Sequence, residues 1–199
     1  MSLIELMVGL AIVAILFALG APSFTAWIQS AQIRTAAEAM QNGLMLARGE
    51  AVRRNTLVRF SLTDTLDDSC NVIATGTNWV VSLNDPTGAC LSAPADPGNP
   101  NPPAPAIIQT RTSAEGTPNV QVVAGQSSIA FNGLGRVTPL PAAGAVPPDG
   151  SIEIRLNNDL IGGACAPAGP MRCLRVVVST SGQVRMCDPM FVRPDPQGC

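Results

Sequence analysis

Residues 2–16 read SLIELMVGLAIVAIL, an apolar run broken by a single charge, Glu5, and the reading of this stretch decides the fold. Glu5 is the only charged side chain before Arg34, and every residue from Leu6 to Ala21 is apolar or Gly. With Leu3 and Ile4 the run approaches the ~20 residues that a helix needs to cross a bilayer core. A carboxylate in such a segment costs a few kcal/mol unless something neutralises it. Glu5 therefore calls for a partner charge, or for a place near enough to one end of the span to reach the interface. The plainer alternative is a core helix of a globular domain with a tolerated end charge. The run has no basic leader and no small-residue cleavage site followed by a mature start, so it reads as a retained segment and not a cleaved signal.

Downstream of Pro22, which is expected to kink or loosen the helix, SFTAWIQSAQIRTAAEAMQNGLMLARGEAVRRN reads as amphipathic. Ile33, Ala37, Met40, Leu44, Ala47 and Ala51 recur at alternating four- and three-residue spacing, one continuous helix face. Glu50 and Arg54 form a pair four apart in the favoured order, and Asn55 is a plausible stop. The pattern predicts one long helix over roughly the first 55 residues. Its first part, 1–22, is the apolar segment, and 23–55 is the half that packs on a domain.

Strands are expected at 57–63, 78–85, 107–112, 119–124, within 127–137, and at 151–157. The first alternates so that Val58, Phe60 and Leu62 share a face, and DPTG (85–88) is a turn signal. Residues 92–106 hold six Pro and read as a surface loop, and a second Pro/Gly/Ala-rich loop is expected at about 138–150. CLRVVVSTSGQVRMC (173–187) reads as a hairpin turning at Thr180–Gly182. The expected architecture is α+β: a long N-terminal helix packed on an antiparallel β-sheet head that spans 56–199.

Composition narrows the function. The net charge is −2, all twelve basic residues are Arg, and the chain contains no His. Without His, a Ser-His or Cys-His nucleophile cannot be built from this chain, and His-ligated zinc is excluded. Asp64, Asp67 and Asp68 lack the spacing and terminal Glu of a calcium loop and read as turn residues. No cofactor motif and no metal site is expected, and the chain does not read as an enzyme. The six Cys, at 70, 90, 165, 173, 187 and 199, all lie beyond the apolar run, none in C-x-x-C spacing. That pattern points to disulfides in an oxidising compartment. Cys70 with Cys90 flanks the strand at 78–85 and would contribute ~3 kcal/mol. The other four leave alternatives: Cys173–Cys187 across the hairpin with Cys165–Cys199, or Cys165–Cys173 with Cys187–Cys199.

The run SLIELMVGLAIVAIL, with Glu at position 5 and Pro at position 22, resembles the N-terminus of a mature type IV pilin or type II secretion pseudopilin. LMLARGEAVRRN (44–55) before a strand, and STSGQVRMCDP (179–189), resemble the GspH/FimT group of minor pilins and pseudopilins. The resemblance implies that the numbering is that of the processed form, that prepilin peptidase acts on the precursor, and that the Met1 amine is methylated. Met stands where the family usually has Phe. It also implies that Glu5 pairs with the N-terminal amine of a neighbouring subunit, and that Pro22 marks where the helix loosens on packing. The implied partners are other pilins or pseudopilins and the inner-membrane assembly machinery. The implied location is a single-pass inner-membrane anchor with a periplasmic head, then a pilus or pseudopilus at the cell surface. The leading expectation is a minor pilin that primes or caps a type IV pilus. The alternatives are a type II secretion pseudopilin, or a minor pilin that takes up DNA through Arg172, Arg175, Arg185 and Arg193. GQVR (182–185) has Gln183 where DNA-binding relatives tend to place a second Arg, which weakens that last transfer.

Overall fold

A computed structural model describes residues 3–96, 98–99, 101–113, 115–117, 119–140, 152–157, 165–167, 171–192 and 194–199; the side chains of 18–23, 25, 26 and 152–157 are not described. The expected long helix, α1, runs from Leu3 to Arg54. It passes Pro22 as helix, and the packing around Pro22 lies outside the described side chains. The face predicted from spacing is the buried one: Ile33, Ala37, Met40, Leu44, Ala47 and Ala51 are each at most 2% exposed. The helix stops at Asn55, which takes the left-handed conformation (φ 49°) that Asn tolerates at a C-terminal cap, while Thr56 donates its N–H back to the Ala51 carbonyl. In the last turns Glu50 accepts from both Arg53 and Arg54. The hydrogen bond from Arg53 is the main cause holding the Glu50 carboxyl below its ordinary pKa; burial works the other way, and Arg54 adds to the lowering.

Among the described residues nine strands follow: β1 (Val58–Thr63), β2 (Asn78–Ser82), β3 (Ile107–Arg111), β4 (Gln121–Ala124), β5 (Ser128–Phe131), β6 (Val137–Thr138), β7 (Ile152–Asn157), β8 (Leu174–Val178) and β9 (Val184–Cys187). All pairings between them are antiparallel. They form two sheets: a five-stranded sheet ordered β3-β2-β1-β5-β6 and a four-stranded sheet ordered β4-β7-β8-β9. Both sheets contribute to a single core against α1. The first sends Val58, Phe60, Leu62, Trp79, Val81, Ile129 and Phe131 into it, and the second sends Val122, Val176 and Val178. Gly43 makes this approach possible, because a Cβ there would meet the rings of Phe60 and Trp79 at 2.8 and 3.1 Å.

On the opposite face of β1, Ser61 and Thr63 are fully buried as well. A second, smaller cluster of Cys70, Val80, Cys90 and Ile107 covers that face, so the segment between β1 and β3 folds back over the sheet. Ser61 and Ser128 satisfy each other across β1 and β5 by a 2.9 Å hydroxyl pair. The Cys70–Cys90 disulfide, expected from spacing, pins this cover. The second Pro/Gly/Ala-rich loop lies outside the described residues from 141 to 150.

The C-terminal hairpin decides between the two sets of bridges left open. Val178 pairs with Val184 and Arg175 with Cys187, so the turn is centred on Ser181. A turn centred on Thr180 would have set Cys173 opposite Cys187; moving the centre by one residue shifts every cross-strand partner by two. The bridges are Cys165–Cys173 and Cys187–Cys199. The hairpin tip then docks on the β5–β6 turn. Val137 donates to the Thr180 carbonyl, Arg48 of α1 donates to the Gly135 carbonyl, and Gly182 (φ 83°) lies so close to Gly135 that a Cβ would collide with its carbonyl oxygen. This three-way junction ties both sheets to the helix.

Candidate assembly surface

The N-terminal arm of α1 is where the molecule leaves apolar surface uncovered by its own head. Leu3, Ile4, Leu6, Met7, Val8, Leu10, Ile12, Val13, Ile15, Leu16 and Phe17 are all exposed, from 48% at Val13 to 80% at Leu3. A contiguous apolar surface of this extent marks an interaction site or a membrane contact. Glu5 sits in it as the acidic residue of the first turn, where a carboxylate also complements the positive end of the helix dipole. Met1 lies outside the described residues, so the expected pairing of its amine is not placed. Among the described residues, no helix is long and apolar enough to cross a membrane; the side chains of 18–23, which would complete the expected span, are not among them.

The exposed surface continues past Pro22 in Phe24, Trp27 and Ile28, all exposed. Here the arm meets the foot of the head. A cavity of about 260 Å³ opens between α1 and the start of β8, lined by Trp27, Ser30, Ala31, Arg34, Arg172 and Leu174. Sequence reading did not single out this groove. The aromatic residues beyond Pro22 are the signal that the apolar surface outlasts the predicted 1–22 segment, but the wall supplied by Arg172 and Leu174 comes from a strand more than 130 residues away.

The Arg residues considered for phosphate contact are only partly brought together. Arg175 and Arg185 do lie on paired strands and on one face, since Val177 sits opposite Arg185. In the backbone register Arg155 of β7 is the partner of Arg175. Arg185, however, donates to the carbonyls of Gly198 and Cys199. Arg172 is held by Asp188 (2.6 Å), by Gln197, and over the Phe191 ring at 5.6 Å. Arg193 lies outside the described residues. Those guanidinium groups serve the disulfide-closed tail, so the geometry favours a structural use over an open phosphate cluster. Asp64 and Asp67 are turn residues. Asp64 accepts from the Asn71 backbone and side chain and from Thr65, and Asp67 from Ser69 and Thr65; these bonds lower both pKa values. Among the described residues, no group of three His, Cys, Asp or Glu is placed to hold a metal ion.

Two solved structures resemble the fold at low identity. One is the crystal structure of the Pseudomonas aeruginosa type IV minor pilin FimU, with 12% identity over 83% of this chain and 98% of that one (TM-score 0.48). The other is the solution structure of Escherichia coli GspH, with 13% identity over 84% of this chain and 95% of that one (TM-score 0.46). No curated protein matches the chain. The model of the family described as "Type II transport protein GspH" matches residues 36–182, the inner half of α1 and the sheets through the hairpin tip, and the chain belongs to the GspH family.

Proposed function

We propose that this protein is a low-copy subunit of a pilin-like filament, either a minor pilin of a type IV pilus or a type II secretion pseudopilin. One observation carries the reading: a single helix whose inner half is buried by its own head and whose outer half exposes an apolar arm bearing Glu5. In the membrane, residues 1–22 serve as the anchor and the head stands on the periplasmic side, where disulfides form. In the filament, the arms of neighbouring subunits cover one another. Glu5 then meets the N-terminal amine of a neighbour, because two opposite charges removed from water attract strongly and each alone is costly. That pairing sets the axial register.

The test is mass spectrometry of filaments sheared from the native host. A low-abundance match to this chain beside a major pilin supports the pilus reading. Absence from sheared filaments, with recovery from envelope fractions in complex with secretion pseudopilins, supports the secretion reading. Recovery only as a lone membrane protein contradicts both.

A further inference from the structure

We propose that the distal end of the head, where the last turns of α1 meet the β5–β6 turn and the tip of the β8–β9 hairpin, is a docking surface for an acidic protein, the head of another filament subunit. The proposal rests on the filament reading above.

Backbone contacts build this end. Gly133 lies against Asn55 at the helix stop, and Gly135 lies against Arg48 and Val52. The hairpin tip closes on the same turn through Thr180 and Gly182. Within the turn, the Asn132 side-chain oxygen accepts from the N–H groups of Leu134 and Arg136, and the Asn132 N–H donates to the Arg136 carbonyl. The turn is fixed without the side chains of Leu134 and Arg136, and both are exposed.

Charge collects here. Arg48, Arg53, Arg54 and Arg136 meet a single carboxylate, Glu50, across segments 48–55, 132–138 and 179–183. Arg53 and Arg54 share Glu50. Arg48 spends Nε on the Gly135 carbonyl, and among the described residues neither Arg48 nor Arg136 pairs with a carboxylate. Four guanidinium groups against one carboxylate leave a positive excess after every pair is counted. The C-terminal end of the helix offsets only about half a charge. The chain as a whole carries −2, so this end opposes the charge of the rest.

The basic groups surround exposed apolar surface. Leu134 is 79% and Val52 51% exposed, and a Cβ on Gly49, one turn before Arg53, would meet nothing within 4 Å. An apolar centre bordered by Arg is the composition of a protein interface. A nucleic-acid backbone is met by basic and polar donors and gains nothing from an exposed Leu. Lipid is out of reach: Arg48 stands ~39 Å along the helix from Pro22, against a headgroup layer of ~5–8 Å. In a filament of parallel arms, this end of one head faces a head displaced along the axis. The fitting partner presents an apolar side chain flanked by Asp or Glu.

The experiment uses the full chain in the native host, with a photo-crosslinking residue in place of Leu134. The expected result is capture of one pilin-like subunit through a peptide that contains Asp or Glu. Arg136→Glu should lower capture roughly tenfold, and Arg136→Gln should lower it less. Replacing the captured carboxylate by Arg should restore capture by Arg136→Glu. The three disulfides, read by non-reducing peptide mapping, report that each variant has folded. Entry into filaments without capture at 134, capture unchanged in Arg136→Glu, or a captured peptide without a carboxylate overturns the docking surface and leaves the filament reading standing. Absence of the chain from both filaments and pseudopilin complexes overturns the two together. DNA retardation by the purified chain that is lost in Arg136→Glu, with no protein captured, reassigns the surface to nucleic acid and also overturns the proposal.

Discussion

Leu10 and Leu44 are the same residue on the same helix, yet Leu10 is 62% exposed and Leu44 fully buried. The two halves of α1 each carry large apolar side chains, and those side chains meet opposite fates. The inner half lays Ile33 through Ala51 under two sheets, and the chain itself supplies the cover. The outer half has no such cover from the head. Burying one large aliphatic side chain contributes about 2 kcal/mol. An arm of eleven exposed apolar side chains therefore represents a large driving force that the folded head does not use. The lesson is that intramolecular packing accounts for the head alone, and that the arm answers to a solvent or partner other than water.

The sharpest way to probe this contrast is to truncate each half and compare. Leu44→Ala should cost about 3 kcal/mol of head stability, the usual price of a cavity in a packed core. Urea unfolding of the detergent-solubilised chain, followed by Trp79 fluorescence, measures it. A loss below about 1 kcal/mol would mean that the inner face is not the core it looks to be. Replacing both Cys70 and Cys90 by Ser should cost about 3 kcal/mol by the same assay, because that bridge holds the cover over Ser61 and Thr63. Asn55→Ala should cost about 1 kcal/mol, since Ala pays for the left-handed backbone that Asn55 adopts, and Asn55→Gly should be close to neutral.

Acid gives a smaller and more distributed effect. Glu50, Asp64 and Asp67 all have pKa values lowered in the folded protein from ordinary values of 4.5, 3.8 and 3.8. A lowered carboxylate contributes stability that is present above its unfolded pKa and is lost as pH falls through its folded pKa. Head stability should thus be flat from pH 7 to about 5 and decline progressively below about 4. A decline that begins near pH 6 would contradict this assignment. The smallest effect belongs to the arm: Leu10→Ala should change head stability by less than about 0.5 kcal/mol, as for other positions outside a core. A larger change would show that the arm folds against the head, and the contrast between the halves would fail.

Much of this fold was legible because its signals are periodic. The six-residue face of the helix, the stop at Asn55, the places of the strands and the Cys70–Cys90 bridge follow from spacing and residue type. What was not legible depends on long-range assembly. Alternation in β1 marks Val58, Phe60 and Leu62 as inward, but cannot say that a returning loop covers Ser61 and Thr63 as well. The tail bridges hinge on a one-residue difference in the turn centre, which Ser, Thr and Gly at 179–182 do not specify. The division into two sheets depends on which strands pair, and short strands of similar composition do not encode their neighbours. The groove at Trp27 is the extreme case, since its two walls come from opposite ends of the chain. The arm, by contrast, was legible as an apolar segment from composition alone.

The most direct test of the central claim is to follow Glu5→Ala into the filament in the native host. The account predicts normal abundance and normal disulfides in the membrane, because the head folds without the arm, together with loss of the chain from purified filaments. Incorporation of Glu5→Ala at the level of the unaltered chain would contradict the claim that the charge in this arm exists to pair with a neighbouring subunit.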